Sequence, residues 1–163
     1  LQFMASVFQV PEEVFTKRAN ELLTLFSLQG SAHELIEGYS HGMKQKIALC
    51  GALIHEPEVV FLDEPTVGLD PKSAKTLKNH LRYLCDQGTT VFLTTHILEI
   101  AEQMCDRVGI ILNGELIALG TMEELREKKG SNQASLEDIF LELTGGEEAQ
   151  DIISELSKDE KGE

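Results

Sequence analysis

Cysteine and positive charge are both scarce in this sequence, and each shortage closes off a class of function. Its three cysteines, Cys50, Cys85 and Cys105, are widely spaced over 163 residues and form no C-x-x-C pair. An odd, scattered set excludes a disulfide scaffold and a cysteine zinc site. It suits reduced thiols on core-facing segments in a reducing compartment. Lys and Arg number 14 against 28 Asp and Glu, a formal charge of −14. Such a balance argues against binding nucleic acid through phosphate neutralisation, though not against a nucleotide, whose site is local. No run approaches the roughly 18 apolar residues of a membrane span, and no signal peptide is visible. The residues also hold no G-x-x-x-x-G-K-[ST] loop, the arrangement whose backbone N–H groups and lysine cradle phosphates.

The most informative segment is Val59-Val60-Phe61-Leu62-Asp63-Glu64-Pro65. Four apolar residues without alternation predict a strand buried on both faces, as in a parallel sheet. Two carboxylates at the end of such a strand are costly without a role. Two roles fit: Asp63 holding Mg²⁺ directly or through water, and Glu64 orienting or deprotonating an attacking water. Carboxylates that merely cap the following helix would give the same local pattern.

Three further segments stand in order around it. Tyr39-Ser40-His41-Gly42-Met43-Lys44-Gln45 is a small polar turn opening an apolar-periodic stretch. Gly68-Leu69-Asp70-Pro71 is a tight turn into a helix. Val91-Phe92-Leu93-Thr94-Thr95-His96 is a second apolar strand ending in a lone histidine. In this order and at these spacings the four segments resemble the signature motif, Walker B strand, D-loop and H-loop of ABC-type ATPases. The resemblance runs from about Leu1 to about Thr144. The Tyr-Ser-His-Gly-Met variant and the later Ser135-Leu136-Glu137-Asp138-Ile139-Phe140 are most similar to ATP-binding subunits of the ABC-2 exporter type.

The resemblance implies an α/β fold: part of a P-loop ATPase domain, mostly parallel sheet, with a helical subdomain near its start. It implies ATP and Mg²⁺ as cofactors, with Glu64 and His96 catalytic, Asp63 on the metal, and Ser40, Gly42 and Asp70 at the nucleotide. In the family the signature motif binds the γ-phosphate held by the opposite subunit, so a second ATPase subunit in a head-to-tail dimer is an implied partner. The other implied partner is an integral membrane permease, which places the subunit peripherally at the cytoplasmic face of the plasma membrane. The family consensus for the signature is Leu-Ser-Gly-Gly-Gln, and this chain departs from it with Tyr39, His41 and Met43. His41 is the departure of most consequence, because a residue with a Cβ must reach whatever backbone geometry glycine supplied. The glutamine loop that the family places before its helical subdomain is absent, like the phosphate loop. The chain therefore reads as the C-terminal part of a longer protein. The 163 residues alone are expected neither to bind ATP tightly nor to hydrolyse it, and to expose apolar sheet edges. A soluble, non-transport ABC ATPase and a non-enzymatic regulatory module are the competing readings.

Local signals outline the elements. Leu1–Phe8 finishes a helix, and Pro11-Glu12-Glu13 starts another with proline in its first turn. Phe15, Ala19, Leu22, Leu23 and Phe26 recur at helical spacing, and Gly30 is its predicted stop. Ser40 is an N-cap, Asp70 caps a Pro71 helix, and Gly88 ends that helix. A strand over 90–94 and a helix over 97–105 follow. Asn113-Gly114 signals a type I′ hairpin between 107–112 and 115–119. Thr121 with Glu124 forms a capping box, and Ser135 opens a helix to about Leu143. The expected organisation is a partial ATPase domain over 1–144. Within it, 1–55 is the helical subdomain and signature helix, 56–120 the core and 121–144 the C-terminal helices. Residues 145–163 form an acidic, disordered tail. From Thr121 onward 13 acidic residues face 5 basic ones. His33, His55 and His80 lack metal-ligand spacing and are assigned structural roles.

Overall fold

The computed structural model describes residues 1–130 and 133–145; of the tail over 145–163 expected to be disordered, all but Gly145 lies outside the described residues. The chain divides after His96 into two compact units.

In the first unit, α1 (Gln2–Val7) leads into α2 (Glu12–Leu25), for which Pro11 is the N-cap residue and Glu12 and Glu13 lie in the first turn. Proline has no N–H to leave unsatisfied, and the two acids meet the positive end of the helix dipole. The helix stops at Leu25, five residues before the predicted Gly30, because Ser27 turns left-handed at φ 57°. Gly30 falls instead in a short 3-10 turn, Gln29–Ser31. Packing decides the difference: Phe26 and Leu28 must both turn into the core, where each is 2% exposed. α3 (His41–Leu53) packs on α1 and α2 and buries Leu49, Cys50 and Leu53. Burial pushes the Cys50 thiol up to about 12. It stays protonated and unreactive at neutral pH, in keeping with a core thiol. The His55 ring stacks on Phe8, with centroids 3.6 Å apart.

β1 (Val59–Asp63) and β2 (Thr90–Thr94) pair in parallel with α4 (Pro71–Asp86) between them in the chain. The register sets Asp63 beside Thr94, so both strands end at one place. α4 buries Ser73, Leu77 and Leu81 at helical spacing. The expectation that β1 is buried on both faces is corrected here. Val60 and Leu62 are buried, but Phe61 is 73% exposed and Phe92 beside it 57%. A run of apolar residues shows that a strand can tolerate burial on both sides. α4 packs on β2, and the two phenylalanine rings meet each other on the exposed face, with centroids 5.6 Å apart.

The second unit holds α5 (Leu98–Met104), the antiparallel hairpin β3 (Val108–Leu112) and β4 (Glu115–Gly120), then α6 (Met122–Lys129) and α7 (Leu136–Leu143). Asn113 and Gly114 take φ of 52° and 84°, the pair of left-handed residues that a type I′ turn needs. Thr121 and Glu124 form the expected capping box, and Ser135 forms another with Asp138. The core is Ala101, Val108, Ile110, Leu125, Ala134, Leu136 and Ile139. Glu102 ties three elements together: one oxygen pairs with Arg126 at 2.6 Å and the other accepts from the Leu136 amide at 3.1 Å. A carboxylate at the first turn of α7 complements its dipole.

Candidate functional site

The parallel register of β1 and β2 brings two acids and two threonines together at their ends. The Thr94 hydroxyl donates to Asp63 Oδ1. One step further, the Thr95 hydroxyl donates to Glu64 Oε2 at 3.1 Å. Glu64 Oε1 accepts from the His96 backbone amide at 2.7 Å and lies 2.7 Å from His96 Nδ1. With the proton on Nδ1, the imidazole donates to the same oxygen as its own amide. The two residues assigned to catalysis are thus in direct contact, 32 positions apart in the chain.

Glu64 reaches this arrangement at a cost. Its φ is 45°, the left-handed region that a side-chain-bearing residue enters at about 1–3 kcal/mol. The turn is held there because the Glu64 amide donates to the Thr94 carbonyl at 3.0 Å and the Val67 amide returns to the Glu64 carbonyl at 3.1 Å. Burial alone would raise the Glu64 carboxyl. Hydrogen bonds from the His96 ring and amide and from Thr95 outweigh it and hold the group below the usual carboxylate range. An ionised carboxylate with part of its surface open can accept a hydrogen bond from water.

Ser40, Gly42 and Asp70 belong to a second group, built around the turn after Pro65. Ser40 caps α3, its hydroxyl accepting from the Met43 amide at 3.3 Å. His41 is the first residue of α3 and is absent from the left-handed region. The side chain at this departure from the family consensus therefore meets no conformation reserved for glycine. Its ring packs on Gly68, where an added Cβ would lie 2.4 Å from His41 Cδ2. Gly68 has φ 78°, so the turn needs glycine twice over, for its backbone and for the ring above it. Gly42 approaches the same turn: a Cβ there would lie 2.9 Å from the Gly68 carbonyl oxygen. Replacing Gly42 with Ala is therefore expected to destabilise the protein by about 1–3 kcal/mol, as overpacking does, and denaturant titration measures this.

Asp70 caps α4 by accepting from the Ser73 amide at 3.0 Å and from the Ser73 hydroxyl, and it pairs with Lys46 of α3 at 3.3 Å. Those Ser73 bonds first, and Lys46 after them, hold its carboxyl far below the usual range. A depressed carboxyl stabilises the fold above its unfolded value of about 4, and that stabilisation fades as the pH falls through the folded value. Asp70→Asn should thus lower the melting temperature at pH 7 and narrow the gap to the wild type below pH 4. Thermal melts across that window read the effect.

Lys46, Thr94 and Thr95 are partners that motif reading passes over. Lys46 carries no local signal, being one lysine on a helix. The threonines were legible only as part of the strand run, since their bonds depend on the register with β1.

The donor set at Asp63 fits Mg²⁺. One of its oxygens is committed to Thr94, which leaves the other for a metal. Mg²⁺ is commonly held by one or two carboxylates together with substrate phosphates and water. No cluster of three or more His, Cys, Asp or Glu that could hold a metal occurs among the described residues, and none is needed for that mode.

Known proteins are similar to this chain over most of its length. The family model described as "AAA domain, putative AbiEii toxin, Type IV TA system" matches residues 8–102. The chain is 39% identical over 144 residues to the linearmycin resistance ATP-binding protein LnrL of Bacillus subtilis (strain 168), covering 88% of this chain and 44% of that protein. A solved structure of an ATP binding subunit of an ABC transporter aligns with TM-score 0.85 and 34% identity over 88% of this chain and 60% of the other. The dimeric structure of a post-hydrolysis state of the ATP-binding cassette MJ0796 bound to ADP and Pi aligns with TM-score 0.60 and 28% identity, over 65% and 46% of the two chains. The chain spans about half the length of the curated relatives it matches.

Proposed function

Because the chain belongs to the ATP-binding proteins of ABC transporters, we propose that the whole subunit hydrolyses ATP to drive an export permease. The contact of Glu64 with His96 at the joint end of β1 and β2 carries this reading. Water beside Glu64 would donate a hydrogen bond to the carboxylate, which orients it or takes its proton as it attacks the terminal phosphate. With its proton on Nδ1 and donated to Glu64, the His96 ring keeps Nε2 as an acceptor for a hydrogen of the same water. Asp63 would hold Mg²⁺ through the oxygen that Thr94 leaves open. Bound there, the ion neutralises charge on the phosphate oxygens.

Ser40 and Gly42 sit at the start of α3, where backbone N–H groups and the helix dipole favour a phosphate. In a head-to-tail dimer they would take the γ-phosphate of the partner subunit's nucleotide, with Asp70 beside the shared surface. The post-hydrolysis dimer among the structural relatives supports dimerisation, and the linearmycin resistance relative supports a part in drug resistance. No helix among the described residues is long and apolar enough to cross a membrane; attachment through a permease at its cytoplasmic side is part of the same proposal. The test reconstitutes the whole subunit with its permease in vesicles and measures phosphate release from Mg–ATP. Release stimulated by the permease is expected; a subunit that turns over ATP at one rate with and without it would contradict the coupling.

A further inference from the structure

We propose that Thr95 is a positioning residue, fixing the plane of the Glu64 carboxylate so that one oxygen lobe faces the attacking water. This rests on the reading of Glu64 as the residue that handles that water.

The terminal torsion of a glutamate side chain is broad, with a low barrier between its two equivalent states. A carboxylate anchored at one oxygen can still swing about that anchor. In this site the two anchors are divided between the two oxygens. His96 supplies its amide and ring to Oε1, both at 2.7 Å, and Thr95 supplies its hydroxyl to Oε2 at 3.1 Å. Two separate points define the plane, and the remaining lone pairs then have fixed directions. Thr95 is suited to this because it continues the rung that pairs Asp63 with Thr94 in the parallel register. The neighbouring threonine does the same for the neighbouring acid, Thr94 donating to Asp63. The backbone reinforces the arrangement. The Glu64 amide is bonded to the Thr94 carbonyl, so the acid's main chain is tied to the residue just before Thr95 while the Thr95 hydroxyl holds its side chain. Geometry of this kind matters to rate more than to binding, since ATP is held by its phosphates and the carboxylate acts on the water.

The experiment compares Thr95→Val and Thr95→Ser in the whole subunit. Valine keeps the shape and loses the donor; serine keeps the donor. Loss of one hydrogen bond to a charged group corresponds to roughly a tenfold or greater effect. Thr95→Val should therefore lower kcat on the order of tenfold with KM for ATP unchanged, and Thr95→Ser should restore kcat. A second readout is independent of turnover. The amide proton of His96, bonded to the same carboxylate, should change its NMR chemical shift in Thr95→Val and return in Thr95→Ser. Wild-type kcat in Thr95→Val, equal losses in both variants, or a rise in KM alone would overturn the proposal. Glu64→Gln measured beside them separates the two levels. Its inactivity together with a wild-type rate in Thr95→Val removes only the role of Thr95. Wild-type turnover in Glu64→Gln removes the role of Glu64 and this proposal with it.

Discussion

Glu64→Gln in the whole subunit is expected to lower phosphate release by about 10²–10⁴-fold, the usual contribution of a positioned general base, while ATP affinity stays within a few-fold of wild type. The amide is nearly isosteric with the carboxylate, so the packing of the strand end is retained. Two changes follow from the geometry. The amide nitrogen cannot accept, so one of the two anchored oxygens is replaced by a donor that faces either the Thr95 hydroxyl or the His96 N–H groups. The amide is also far too weak a base to take a proton from water. The loss corresponds to about 3–5 kcal/mol of barrier, drawn from the chemical step rather than from binding. Equilibrium ATP binding and single-turnover phosphate release on the same preparation separate the two. Near-normal release would remove Glu64 from the reaction.

His96→Ala is the second large effect. It deletes the ring bond to Glu64 Oε1 and leaves the backbone amide bond to the same oxygen. One hydrogen bond to a charged group is worth about 1.5–3 kcal/mol, so kcat should fall by about 10–10²-fold, with a smaller change in ATP affinity. The ring is 74% exposed, so its removal leaves no cavity, and melting temperature should change little. That combination distinguishes a reacting-site histidine from a packing histidine such as His55, whose ring is stacked on Phe8. Wild-type turnover in His96→Ala would remove the histidine from the account.

Much of the fold is legible in the chain because its signals are local. Asp70-Pro71, Asn113-Gly114 and the Thr121–Glu124 box each encode a backbone geometry within four residues, and each appears where it was expected. The C-terminal end of α2 was not legible in that way. Gly30 is a natural stop, but the burial of Phe26 and Leu28 ends the helix sooner, and that depends on partners distant in sequence. The two-face burial read from Val59–Leu62 failed for a related reason. Apolar composition records what a strand tolerates, whereas exposure depends on which layers cover it. At the candidate site, residue types and spacing pointed to Asp63, Glu64 and His96 as a group. They gave no hint that Glu64 is left-handed, that Thr95 shares its carboxylate, or that Lys46 reaches Asp70, because those facts arise from strand register and from the packing of α3 on the turn. His41 was the departure of most consequence in the signature motif, and Gly68 beneath its ring accounts for the space it occupies.

The measurement that tests the central claim most directly is phosphate release by the wild-type whole subunit, with ATP binding measured on the same preparation in the presence and absence of Mg²⁺. Saturable ATP binding with Mg²⁺-dependent turnover is the predicted result. Tight ATP binding with no turnover at saturating Mg²⁺ would contradict it and make the chain part of a nucleotide-sensing module instead of a hydrolase.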